Sequence, residues 1–196
     1  MNIWKYISTI TRLITRLVYY PEIQYYKTIL KYCGRNVKME NGVNFTHPEF
    51  VEIDDNVTIN SHVWFSIMPI MGDGNAPSLK IGKGTYIGRF VQISCVNRII
   101  IENDVLISDR VFICDSLHGY SEINLPVSRQ PLYSPGSVEI GSGTWVGIGV
   151  AILPNVKIGK NCVIGANTVV TRDIPDYHVA VGIPAHIVGR VDRCRG

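Results

Sequence analysis

Histidine changes charge near neutral pH and is the commonest proton-transfer and metal-binding side chain, so the five histidines, His47, His62, His118, His178 and His186, are the first places to look for chemistry. No two of them stand at the close spacing that a zinc site takes from one element, and the five cysteines (Cys33, Cys95, Cys114, Cys162, Cys194) include no CxxC pair. No metal is expected. An odd number of scattered cysteines also argues against a disulfide framework and fits a reducing compartment. His118 is set apart by its surroundings. It lies in an irregular stretch, Cys114 to Ser137, that reads CDSLHGYSEINLPVSRQPLYSPGS and brings a histidine, acids, an arginine and several prolines together. Prolines favour a loop of fixed shape, and an imidazole held in such a loop, with an unperturbed pKa of ~6.5, is suited to taking a proton from a weak nucleophile. By itself, a loop histidine is more often a surface residue, so the reading depends on what holds the loop.

The holder is legible from Val138 onward. In VEIGSGTWVGIGVAILPNVKIGKNCVIGANTVV, Ile140, Val146, Ile152, Ile158, Ile164 and Val170 recur every six residues, and Val138, Thr144, Val150, Val156, Cys162 and Thr168 stand two places before them. Six is neither a helical period nor a hairpin alternation. It is three strand alternations, so one branched residue returns to the inner face after each short strand and bend. Gly141, Gly147, Gly159 and Gly165 follow four of these residues, where a corner demands a small side chain or a left-handed backbone. Hexapeptide periods signal a parallel β-helix whose coils stack and bury one continuous core.

The same beat is present earlier, in groups: Met39 and Phe45; Ile53, Ile59 and Phe65; Ile81, Ile87 and Ile93; Ile101, Ile107 and Ile113. Groups of three predict a triangular coil. Two steps, Phe45 to Ile53 and Ile93 to Ile101, are eight residues long, and two insertions are larger, residues 66–79 and 114–137. Loops held by a rigid scaffold are where binding and catalysis concentrate. The first insertion is expected to shape an acceptor pocket or a subunit contact, the second to carry the chemistry.

Before the beat, residues 1–36 form an N-terminal helical segment. Ile3, Ile7, Ile10, Ile14 and Leu17 share one face, with Lys5, Arg12 and Arg16 opposite. Pro21 is expected to end this helix, with a second short one from Ile23 to Tyr32. The arginines interrupt any apolar run, so the segment is neither a membrane span nor a secretory signal. Packing on a neighbouring subunit or on the open end of the solenoid is the expected role; resting on a membrane surface is the alternative. The solenoid proper is expected over residues 37–174, followed by a tail, 175–196, with a short strand at Val179 to Val181 and a short terminal helix. With 46% hydrophobic residues in 196 and a net charge of +3, the chain has material for one domain and too little positive charge to imply nucleic acid.

Two stretches, IENDVLISDRVFICDSLHGY and VEIGSGTWVGIGVAILPNVKIGKNCVIGANTVVTRDIPDYHVAVGIPAHIVGR, resemble the hexapeptide-repeat acyltransferases with a left-handed parallel β-helix, in the branch of the maltose, galactoside and polysaccharide O-acetyltransferases. The resemblance implies the left hand of the helix, a homotrimer, and acetyl-CoA as co-substrate in a groove between subunits. It implies His118 as the catalytic base and Trp145 beside the pantetheine arm. Gly147 and Ile148 follow as main-chain contacts, Ala166 lies on the next coil, and Thr171, Arg172 and Arg190 are outer cofactor contacts. Sugar-acetylating members often carry an asparagine where Gly88 stands, a departure that bears on the acceptor. The activity implied is O-acetylation of a sugar hydroxyl, of a surface polysaccharide precursor or an oligosaccharide, in the cytoplasm or at the inner face of the membrane. A nucleotide-sugar N-acetyltransferase is the alternative, ahead of a γ-carbonic-anhydrase-like metal enzyme. Chemically, a hydroxyl must lose its proton as it attacks a thioester carbonyl, and the negative oxygen formed needs a preset donor, for which an N–H at the Trp145–Gly147 bend is the candidate. Cys114, at a repeat position, reads as a buried hydrophobe rather than a nucleophile.

Overall fold

The computed structural model describes residues 3–69 and 76–193. From Tyr32 they form six stacked triangular coils of a left-handed parallel β-helix, an all-β architecture entered by one helix. Each coil contributes one short strand to each of three faces. In the second coil, for example, these are Val51–Ile53, Thr58–Ile59 and Trp64–Ile67; in the fifth, Val138–Ile140, Trp145–Val146 and Ala151–Ile152. Every neighbouring pair of coils is joined by parallel ladders in unbroken register, so Ile53, Ile81, Ile101, Ile140 and Ile158 form one column behind the first face. Met39, Ile59, Ile87, Ile107, Val146 and Ile164 form the second column, and Phe45, Phe65, Ile93, Ile113, Ile152 and Val170 the third. All of these side chains are buried. The six-residue period is therefore the inward column seen in one dimension.

The corners separate two reasons for glycine. Gly143 and Gly149 carry left-handed φ angles of +71° and +69°, and Asn56, Asn161 and Asn167 take the same conformation at equivalent corners. Gly141 and Gly147, which follow the inward residues, do not. A Cβ on Gly141 would stand 2.5 Å from the backbone carbon of Gly159, and one on Gly147 2.7 Å from the Ile164 carbonyl, so at these positions the next coil passes too close for any side chain. Inward polar residues are satisfied within the stack. Thr144 Oγ1 donates to the Gly159 carbonyl and accepts from the Cys162 N–H, joining adjacent coils.

Irregular segments between coils leave at one corner, that between the third and first faces. Residues 46–50, 68–69, 76–77, 96–97, 115–137 and 153–155 all fall there. The interior of the insertion expected at 66–79, residues 70–75, lies outside the described residues.

Both ends of the stack are covered. The helix runs from Ile3 to Ile29 with Pro21 inside it, where the sequence pattern predicts a break and a second helix. Proline costs an interior helix one hydrogen bond, but the turns beyond it are held by tertiary contacts: Ile23 and Tyr26 pack on the core, the Tyr26 ring lies 5.0 Å from that of Phe45, and Lys27 Nζ donates to the Val37 carbonyl at 2.8 Å. The first strand, Tyr32–Cys33, begins before the expected start of the solenoid at residue 37. At the other end, His178–Val181 extends the second face as a parallel strand and folds back on an antiparallel strand, His186–Arg190. A strand and a 3₁₀ turn, Val191–Arg193, stand where a terminal helix was expected, because the outer edge of His178–Val181 offers a row of open ladder groups and Ile187 and Val188 are β-branched.

Candidate active site

His118 stands on a two-stranded antiparallel ribbon, Leu117–His118 against Leu132–Tyr133, that projects from the third-to-first corner after the fourth coil. His118 pairs with Leu132, the Gly119 N–H donates to the Pro131 carbonyl at 2.8 Å, and the imidazole is exposed. Two buried polar residues fix this loop. At its root Asp115, fully buried, accepts hydrogen bonds from the N–H groups of Val96, Asn97 and Arg98 at 2.8, 2.9 and 2.7 Å and from the Cys95 thiol at 3.6 Å. Burial pushes its carboxyl up, against the pull of those donors. At the tip Gln130, 6% exposed, donates to the carbonyls of Glu122 and Leu125 and accepts from the Glu122 N–H. The sequence gives little notice of either residue. An acid in the first place after the beat stops is the one available signal for Asp115. A shallow cavity of about 390 Å³ opens beside the ribbon, lined by Tyr120, Glu122, Gln130, Pro131 and Tyr133.

Trp145 lies on the outer side of the second face, 48% exposed, with its indole N–H donating to Ser108 Oγ at 3.1 Å. Ser108 has no mark in the sequence pattern. The ring continues an outward apolar column, with Tyr86, Leu106 and Val163 in register above and below it. Tyr86 and Leu106 are 41% and 43% exposed, an apolar strip that a solvated sheet face would not favour. Gly147 and Ile148 form the next corner, and Ala166 sits on the coil beyond, its N–H 2.8 Å from where a Gly147 Cβ would be. These four residues therefore gather at the corner between the second and third faces. His118 does not join them, since its ribbon leaves from the third-to-first corner. Thr171 and Arg172 follow the last strand of the third face, at that same third-to-first corner but beyond the sixth coil, and are exposed. Arg190 pairs with His178 at the edge of the second face and forms an ion pair with Asp192. One chain thus distributes the expected site residues over two corners and a sheet edge.

One expectation changes, and one departure finds its reason. The N–H groups of Trp145 and Gly147 donate to the carbonyls of Cys162 and Ile164 at 2.9 and 2.8 Å, so the ladder uses the donors expected to face a developing oxyanion there. Gly88 has no room for a side chain: a Cβ would meet the Asp109 N–H and the Ser108 carbon at 2.6 Å, so an asparagine cannot occupy that place on this backbone. Cys114 is 5% exposed and burial pushes its thiol up, away from the thiolate that a covalent mechanism needs. Among the described residues no three His, Cys, Asp or Glu side chains converge as a metal site.

Comparison with known proteins agrees with this architecture. Residues 137–172 match the family described as bacterial transferase hexapeptide (six repeats). Over 139 residues the chain is 37% identical to a Mycobacterium tuberculosis protein named as an acetyltransferase, covering 71% of this chain and 42% of that one. Over 106 residues it is 38% identical to Escherichia coli WbbJ, whose name assigns it O-acetyl transfer in lipopolysaccharide biosynthesis, covering 50% of this chain and 54% of WbbJ. The chain spans about half the length of these curated relatives. Among solved structures, galactoside acetyltransferase in complex with coenzyme A is 26% identical with a TM-score of 0.60, covering 77% of this chain and 66% of that one. AntD, an N-acyltransferase from Bacillus cereus solved with dTDP and coenzyme A, superposes with a TM-score of 0.72 at 20% identity, over 85% of this chain and 88% of its own, and shares the fold. The chain thus carries the bacterial transferase hexapeptide repeat at residues 137–172 on a left-handed parallel β-helix, and its sequence is similar to those of proteins named as acetyltransferases.

Proposed function

We propose that this protein transfers an acetyl group from acetyl-CoA to a sugar hydroxyl of a surface polysaccharide precursor or oligosaccharide, in the cytoplasm, where acetyl-CoA is available. The observation that carries the reading is His118, held exposed on a ribbon locked by Asp115 and Gln130. In the transfer, the imidazole takes the hydroxyl proton as the oxygen attacks the thioester carbonyl. A new C–O bond forms, the C–S bond breaks, and the proton passes to the departing CoA sulfur. The step needs no acyl-enzyme. Trp145, with its indole pinned by Ser108, offers a flat apolar wall to the pantetheine arm, beside Gly147, Ile148 and Ala166. Thr171, Arg172 and Arg190 lie further out and supply the polar and cationic groups that suit the nucleotide end.

The division of these residues over separate corners supports a homotrimer in which the loop of one subunit meets the Trp145 corner of the next. The outward apolar column of the second face, Tyr86, Leu106 and Trp145, supports it too. Light scattering should return three times the chain mass; an active monomer would remove this reading.

Transfer to the amine of a nucleotide sugar is the second reading, favoured by the likeness in fold to AntD, which was solved with dTDP. Free-thiol release from acetyl-CoA, measured over free sugars, nucleotide sugars and lipid-linked oligosaccharides, separates the two. Turnover confined to amino-sugar nucleotides would overturn O-acetylation.

A further inference from the structure

The N-terminal helix carries more apolar surface than the solenoid covers. Its last turns are engaged with the first coil through Ile23, Tyr26, Lys27 and Leu30. Before them, Trp4 is 72% exposed, Ile7 47%, Ile10 54%, Leu13 55%, Ile14 56% and Val18 64%. At about 100° per residue, these positions with Ile3 and Leu17 span roughly half the helix circumference. Lys5, Arg12 and Arg16 fall on the opposite arc, and no aspartate or glutamate precedes Glu22. The segment before Pro21 thus carries three positive charges and no negative one.

Two features choose among occupants. A helix that pairs with a copy of itself presents a narrow seam of two positions per heptad, whereas this arc is broad and includes a tryptophan. A run of cations without acids repels its own copy and is attracted to an anionic surface. We propose that residues 3–20 lie in the surface of an anionic lipid bilayer, with the arc from Trp4 to Val18 at the acyl boundary and Lys5, Arg12 and Arg16 at the headgroups. The helix lies on the membrane rather than through it, since no helix among the described residues is long and apolar enough to cross. This contact is independent of the acyl-transfer chemistry.

Co-sedimentation of the full chain with vesicles tests it. The protein should partition onto equimolar phosphatidylcholine–phosphatidylglycerol vesicles, weakly onto phosphatidylcholine alone, and less as salt is raised. Each cation removed should weaken binding about fivefold, so Arg12→Ala with Arg16→Ala should cost about 25-fold. Ile7→Glu with Ile14→Glu should abolish sedimentation while thermal unfolding of the solenoid and acetyl-CoA binding stay as in the parent. The proposal is overturned if the parent protein stays in the supernatant with the anionic vesicles. It is equally overturned if the Ile7→Glu, Ile14→Glu variant still binds them and instead changes particle mass in light scattering, which would place this face between copies of the chain.

Discussion

Replacing His118 with alanine should lower turnover by about 10²–10⁴-fold while leaving acetyl-CoA affinity nearly unchanged. The split follows from geometry. His118 sits on the projecting ribbon and contributes nothing to the wall that Trp145, Gly147, Ile148 and Ala166 form, so its loss removes the proton acceptor and leaves the coenzyme wall intact. Trp145→Ala should do the converse: calorimetry should show weaker acetyl-CoA binding, because the wall is lost while the base remains. A His118→Ala enzyme that turned over its true acceptor at the parent rate would end the general-base mechanism while leaving the fold as described. An affinity loss equal to the rate loss would mean that the residue holds the coenzyme instead.

The second large effect is expected at Asp115. Alanine there would strand three backbone N–H groups that now donate to its fully buried carboxylate. A buried donor left without a partner costs roughly 1–3 kcal/mol, so Asp115→Ala should destabilise the protein by several kcal/mol in urea or thermal unfolding. The damage should concentrate at the turn 96–98 and at the root of the ribbon, where hydrogen exchange should rise first, ahead of the first and last coils. Asp115→Asn keeps one acceptor oxygen but turns an amide NH₂ toward the same donors, so it should fall between the parent and alanine. Unfolding curves that coincide for all three proteins would contradict this account of the corner.

The scaffold was legible because it repeats. One inward residue per face, recurring with the stack, leaves a period of six that insertions cannot erase, and it located the columns from Met39 to Val170. The hand of the helix and the roles of the site residues came from family resemblance, since spacing carries neither. What escaped the sequence is what depends on proximity across coils. Nothing in a one-dimensional pattern says that Asp115 will meet residues 96–98, that Gln130 will close its own loop, or that Ser108 will hold the Trp145 indole. The same holds at the bend chosen for an oxyanion donor, where the parallel ladder claims the N–H groups of Trp145 and Gly147. The helix across Pro21 shows packing outweighing a local breaker: Ile23 and Tyr26 are fixed by the first coil whatever proline prefers.

The gathering of irregular segments at one corner has a consequence for how such a protein can change. The fourth and fifth coils stay paired on all three faces, Ile101 with Ile140, Ile107 with Val146 and Ile113 with Ile152, so the chain between residues 114 and 138 returns to a coil one ladder spacing away, about 4.8 Å. Closing a loop between fixed points costs entropy that grows only with the logarithm of its length, about 0.6 kcal/mol for each doubling. A longer or differently composed segment at this corner would therefore disturb the stack very little. The stretch that carries His118 can be exchanged between relatives, or replaced by design, while the opposite corner with Trp145 is kept. Chimaeras that carry a foreign segment between Asp115 and Ser137 should fold with near-parental stability, and their choice of acceptor should travel with the loop.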